Sequence, residues 1–191
     1  MMVKKHGNVG SWRKNDYWTL AAFFILATIL TWGIHEFAHW LTGRILGYDM
    51  WITFNQVGLV QGEYSSVWHQ SLVAMAGPIV TWLQAVVVLL FIRQSGKLWP
   101  YSFLFLAFWM RTVAMLISFL SNPNDEAKVS LLLGLPMWVL PAISVIFLLV
   151  LTVMGSRALK VGWKGNLVSY VMASLMTAVV VFSDQLLFFS N

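Results

Sequence analysis

Five long apolar stretches, separated by short polar intervals, dominate the chain. They run from about Tyr17 through His39 and on towards Ile45, from Val67 to Ile92, from Pro100 to Leu120, from Asp125 or Glu126 to Met154, and from Asn166 to Phe189. A helix needs ~20 residues to cross the hydrocarbon core of a bilayer, and every stretch reaches that length. Asn15 or Asp16 is the expected N-cap of the first helix. Pro136 and Pro141 should bend the fourth. Between Gly47 and Tyr64 the pattern changes: Met50, Ile52 and Phe54 alternate with Trp51 and Thr53, and Asn55-Gln56 reads as a turn before Gly58-Leu59-Val60-Gln61-Gly62. That alternation predicts a short hairpin, although an interfacial loop anchored by Trp51 fits the same residues equally well. An open sheet edge is tolerated in lipid only where it is buried or faces a cavity, so such a hairpin would offer its edge to an extended peptide. The expected fold class is an all-α polytopic membrane protein with about five transmembrane helices and a short membrane-associated β-hairpin after the first.

Composition agrees with this picture. Of 191 residues 59% are hydrophobic and 10% charged, where a soluble domain carries about 25% charged residues. No cysteine is present, which excludes disulfides, thiolate metal sites and cysteine nucleophiles. Any metal must be held by His, Asp, Glu or Asn. The net charge of +5 does not point to nucleic acid, because the basic residues flank the apolar stretches instead of forming a face. Lys4, Lys5, Arg13, Lys14, Arg93, Lys97, Arg157, Lys160 and Lys164 fall on one side of a five-span topology. Only Arg44 and Lys128 fall on the other, and Arg111 lies within the third span. The positive-inside rule then predicts a cytoplasmic N-terminus. The apolar run that follows the basic start is too long for a signal peptide and lacks a small-residue cleavage site, so it reads as the first span.

His35-Glu36-Phe37-Ala38-His39 lies at the end of the first span. Positions i and i+4 share one helix face, so both imidazoles can reach one zinc ion. Glu36 then stands beside the metal, able to take a proton from water. Chance would produce H-E-x-x-H in roughly one such chain in a thousand. Diiron histidine boxes, which need about eight histidines, do not fit a chain with only His6, His35, His39 and His69. Ionisable groups inside a membrane are costly and usually mark function.

Catalytic zinc takes three protein ligands and leaves a position open. Asp125, in Ser121-Asn122-Pro123-Asn124-Asp125-Glu126, is the leading candidate for the third; it lies on the same side as the histidines, after residues that favour a turn. It could equally cap a helix starting at Glu126. Glu126, Asp184 and His69 are its rivals. Arg111 needs a partner, with Asp184 and Glu63 as candidates, or a role in polarising a substrate carbonyl. Gly77-Pro78 reads chiefly as a close-packing and kinking element.

Taken in order, these motifs resemble the site-2 protease family of intramembrane zinc metalloproteases. That family carries H-E-x-x-H on one spanning helix, a membrane-associated hairpin, a helix with A-G-P, and an Asn-Pro-rich stretch leading to Asp. Here the corresponding residues are 35–39, 48–64, Ala76-Gly77-Pro78 and Asn122-Pro123-Asn124-Asp125, and the likeness covers residues 17–130. The resemblance implies His35, His39 and Asp125 as ligands of Zn2+, Glu36 as catalytic base, and Asn122 as a residue holding substrate near the metal. It implies a basic tail over 1–16, a catalytic core over 17–130 and additional transmembrane helices over 131–191. The expected activity is that of a zinc metalloendopeptidase cutting transmembrane or membrane-associated protein substrates, as an integral multi-pass protein of a prokaryotic cell membrane. A catalytically inactive binding or scaffolding protein of the same fold is the alternative. The chain departs from the family pattern at three points. Glu126 replaces the usual glycine after Asp, Thr81 and Trp82 stand where an asparagine commonly follows A-G-P, and the charge count puts the motif on the face opposite the family's.

Overall fold

A computed structural model describes residues 14–188; the basic residues before Lys14 lie outside them. The described chain folds into α1 (Lys14–Ile45), β1 (Met50–Ile52), β2 (Val57–Leu59), α2 (Val67–Ser95), α3 (Tyr101–Leu120), α4 (Asp125–Leu132), α5 (Val139–Ala158) and α6 (Trp163–Phe188). Five of these helices, α1, α2, α3, α5 and α6, are long and apolar enough to cross a membrane. Their surface supports that reading. Ile25, Ile29, Leu83, Val87, Leu90, Ile146, Val150, Leu175 and Val179 are exposed, while Thr31, Thr81, Ser102, Ser144, Thr152 and Ser169 are buried. An apolar exterior around small polar interior residues is how helices pack when the solvent is hydrocarbon.

α1 runs through the assembly and packs on α2, α3 and α6, while α5 closes against α2 and α3. At one end Leu20, Phe24, Tyr101, Leu104 and Leu148 form a wholly buried apolar core. Tyr101 donates to Asn166 Oδ1 at 2.7 Å, tying the starts of α3 and α6 together. The described basic residues Arg93, Lys97, Arg157, Lys160 and Lys164 gather at that end, and the H-E-x-x-H motif lies at the other.

Two expectations change. α1 is already helical at Lys14, so Asn15 and Asp16 sit inside its first turn and neither caps it. The fourth stretch is not one bent helix. α4 stops at Leu132, Gly134 takes a left-handed φ of 73°, and α5 starts afresh at Val139. Pro136, lacking an N–H, cannot carry the ladder across this interval. Pro78, by contrast, is accommodated within a continuous α2.

The hairpin forms as its alternation predicts. β1 and β2 pair antiparallel, Met50 with Leu59 and Ile52 with Val57, and Thr53 N–H donates to Gln56 O at 2.9 Å across the turn. Trp40 on α1 donates to Met50 O at 3.2 Å. The Trp32 indole reaches Asn55 Oδ1 at 3.0 Å. From the other flank, Asp184 of α6 accepts from Thr53 Oγ1 at 3.0 Å and from Phe54 N–H at 3.1 Å. The hairpin turn is thus held between α1 and α6.

Candidate metal centre

α1 carries His35, Glu36 and His39 into the interior, with 2%, 7% and 5% of their surfaces exposed. One helical turn separates the two histidines, so their rings point the same way. α2 then fixes how they point. Val73, Gly77 and Thr81 stand four apart along α2, in one row facing α1. The Val73 carbonyl accepts from His39 Nδ1 at 2.6 Å. The Thr81 hydroxyl gives its proton to Gly77 O at 3.0 Å, so its oxygen accepts from His35 Nδ1 at 2.9 Å. With both Nδ1 atoms donating, both Nε2 atoms present lone pairs, the tautomer that such acceptors impose on metal-binding histidines.

Gly77 sits between these two anchors. A Cβ built on it would lie 2.7 Å from His35 Nε2 and closer still to His39 Nε2. Only a residue without a side chain lets α2 approach the imidazoles this closely. The A-G-P glycine therefore seats the rings directly, a sharper role than generic helix packing.

Asp125 arrives from the α3–α4 connection. Asn124 is the cap position of α4, with its side-chain amide turned to Ala114 O at 2.6 Å. Asp125 is the first helical residue, not the cap, and its carboxylate is free to face α1. Asp125 Oδ2 lies 3.3 Å from His35 Nε2 and 3.6 Å from His39 Nε2, and the two Nε2 atoms are 3.2 Å apart. Ligands roughly 2.0–2.1 Å from a tetrahedral zinc are separated by about 3.3 Å. Three lone-pair atoms at those spacings fit a zinc-sized cation. A single proton could bridge only one pair of them. A carboxylate that is to hold a metal must be ionised, and the Arg111 guanidinium, 3.1 Å from Asp125 Oδ2, favours that form.

Arg111, in the third span, is 3% exposed. Its partner is neither Asp184 nor Glu63. Its Nε donates to Glu126 Oε1 at 2.9 Å, its Nη2 to Glu126 Oε2, and Nη2 also to Asp125 Oδ2 at 3.1 Å. Nη1 lies 3.2 Å from His35 Nε2. Glu126, where a glycine was expected, is the buried counter-ion of this arginine. The other rivals for third ligand are elsewhere: Asp184 holds the hairpin turn, and His69 bonds Tyr48 Oη at 2.9 Å.

His35, His39, Arg111 and Asp125 face a cavity of about 610 Å³ that Val57 of the hairpin, Asn122 and Lys128 also line. Glu36 lines it too, and no donor among the described residues engages its carboxylate. Among the described residues β2 pairs with β1 alone, so the strand that carries Val57 has an unpaired edge.

Sequence reasoning missed Val73 and Thr81 as supports of the imidazoles, and it weighed Glu126 as a third ligand and not as the partner of Arg111. Val73 acts through its backbone carbonyl, and nothing in the sequence sets it or Thr81 apart from the many other small and branched residues of α2. An arginine inside a span, needing a carboxylate from the same end, is the signal for the pairing with Glu126. No protein-family model, curated protein or solved structure matches the chain.

Proposed function

We propose that this protein is an intramembrane zinc metalloprotease that hydrolyses peptide bonds of membrane-embedded or membrane-proximal protein substrates. The observation that carries the reading is the triangle of His35 Nε2, His39 Nε2 and Asp125 Oδ2, with edges of 3.2, 3.3 and 3.6 Å. Zinc bound there would supply Lewis acidity, drawing the pKa of a water molecule down towards ~7 and polarising a carbonyl. Glu36 takes a proton from the attacking water and returns it to the leaving nitrogen. Val73 O and Thr81 keep both imidazoles in the ligating tautomer. The strand edge at Val57 holds a substrate segment extended, since helical backbone hides its carbonyls. Asn122, on the cavity wall, contacts that segment.

Metal analysis of the protein purified in detergent, paired with cleavage of a reporter transmembrane peptide, tests the reading. One zinc per chain is expected, lost in His39→Ala. Glu36→Gln should keep the zinc and abolish cleavage. Unchanged metal content in His39→Ala would sink the metal assignment. Zinc retained without any Glu36-dependent cleavage would leave a non-proteolytic binding protein of the same fold.

A further inference from the structure

Arginine carries five N–H bonds and no acceptor, and those of Arg111 can be accounted for one by one. Nε–H and one Nη2–H go to Glu126, and the other Nη2–H goes to Asp125. The two Nη1–H bonds remain. One is directed at His35 Nε2, 3.2 Å away, and the other has no acceptor among the described residues. The Thr81 hydroxyl fixes His35 with its lone pair on Nε2, and in the metal-centre reading that lone pair belongs to the cation. Both Nη1–H bonds are then without a protein acceptor, on a buried side chain lining the cavity. A buried donor needs a partner, and the partner has to be something that enters the cavity.

The guanidinium is also rigidly aimed. Glu126, itself 2% exposed, grips its Nε and Nη2 in a two-point fork. Arg111 needs no conformational change to present Nη1 beside the ligand atoms. The charges agree with this placement. Glu126 neutralises Arg111, leaving Asp125 and Glu36 as the carboxylates that face the metal position.

We infer that Arg111 is a catalytic residue whose Nη1–H groups bind the carbonyl oxygen of the scissile peptide as it gains negative charge. This rests on the metalloprotease reading above. As the water oxygen bonds to the carbonyl carbon, its proton passes to Glu36 and the C=O π pair moves onto the carbonyl oxygen, facing Nη1. When that pair returns, the C–N bond breaks and Glu36 delivers its proton to the departing nitrogen. Donors fixed in advance on such an oxygen are worth about 10²–10³ in rate.

The test uses the full-length, zinc-loaded protein with Arg111→Lys and with Arg111→Met combined with Glu126→Gln. The double variant removes both buried charges together and so avoids leaving an unpaired one. Arg111→Lys keeps a charge opposite Glu126 but cannot span Glu126, Asp125 and substrate at once. Three readouts are compared: zinc per chain, kcat and KM on the reporter peptide, and affinity for a phosphinic peptide of the reporter sequence, whose oxygens mimic the charged carbonyl oxygen. The expected result is one zinc per chain in every variant, KM within about twofold of wild type, and kcat lowered by about 10²–10³. Phosphinic-peptide affinity should fall in step with kcat. A kcat within about fivefold of wild type, with phosphinic-peptide affinity unchanged, overturns the inference while leaving the protease reading intact. Loss of zinc in parallel with kcat also overturns it, because Arg111 would then act only by holding Asp125. A wild-type protein that takes no zinc and cuts nothing overturns the protease reading itself.

Discussion

At one end of the bundle α1, α3 and α5 meet through Leu20, Phe24, Tyr101, Leu104 and Leu148, all with 0% of their surface exposed. At the other end α1 and α3, now with α2 and α4, bury His35, Glu36, His39, Arg111 and Glu126 nearly as deeply. The two ends have similar burial and opposite chemistry. In a hydrocarbon solvent the apolar end gains little from hiding carbon from its surroundings, so shape and dispersion hold it together. The polar end is costly unless every charge is met, because an unpaired ion in low dielectric destabilises by several kcal/mol. Each charge there except Glu36 has a protein partner, and each imidazole has an oriented acceptor behind it. One end serves as the frame, and the other uses the frame to hold groups that would otherwise separate or seek water.

Removing Asp125 should produce the largest effect on this contrast. Asp125→Ala takes away one of three proposed ligands and the only carboxylate that Arg111 shares with the metal position. Zinc per chain should fall below stoichiometric, and cleavage of the reporter should drop by more than about 10³, because the proposed metal would lose one of its three ligands. The apolar end shares no contact with Asp125, so helical content by circular dichroism should be unchanged. Retained zinc and activity would show that another donor completes the site.

Gly77→Ala is next, and it probes the polar end without touching a ligand. The added methyl would fall 2.7 Å from His35 Nε2, so either the rings tilt or α2 withdraws from α1. Disturbing groups that orient metal ligands typically costs about 10–100-fold in affinity. Zinc competition against a chelator should show a loss of about that size, with the protein still folded. Unaltered zinc affinity would mean that α2 has more freedom than the seat at Gly77 implies.

Leu104→Ala does the reverse. Leu104 is wholly buried at the apolar end, packed against the gap at Gly155. Large-to-small changes in cores cost about 2–5 kcal/mol. The lower end of that range is expected here, because lipid reduces the transfer component and leaves the cavity component. Chemical denaturation in mixed micelles should show that loss while zinc affinity stays at the wild-type value. A drop in zinc affinity would mean that the two ends are coupled through α1.

Much of the frame was legible in the sequence, because a membrane-spanning helix is written as an uninterrupted apolar run that few other structures require. The one span that misled did so for a local reason. Residues 125–132 look continuous with the apolar run of α5, and only the left-handed turn at Gly134, with Pro136 behind it, separates α4 from α5. In the site, His35, Glu36, His39 and Asp125 were visible because their residue types and order are rare in an apolar chain. Their supports were not visible. Val73 acts through its carbonyl, which any residue has, and Gly77 acts through a side chain it lacks. The pairing of Arg111 with Glu126 depends on how residues 121–124 turn α4 back onto α3. Such contacts are fixed by tertiary approach and leave no spacing to read.

The smallest effect is expected where the polar end meets the hairpin. Asp184, 2% exposed on α6, touches none of the proposed ligands, yet accepts from Thr53 Oγ1 and Phe54 N–H and so clamps the turn that precedes Val57. Asp184→Ala would leave Phe54 N–H without its acceptor and Thr53 Oγ1 with Gln56 O at 3.3 Å, and would free the turn to move relative to α1, where Trp32 still holds Asn55. The net worth of hydrogen bonds to a carboxylate is about 1.5–3 kcal/mol, and only part of it bears on substrate, through the alignment of the strand edge. KM for the reporter peptide should rise by roughly fivefold, the equivalent of ~1 kcal/mol of uniform binding, with kcat and zinc content unchanged. A fall in kcat at constant KM would instead place the hairpin's contribution in the chemical step, and the strand edge at Val57 would have to guide the reacting bond itself.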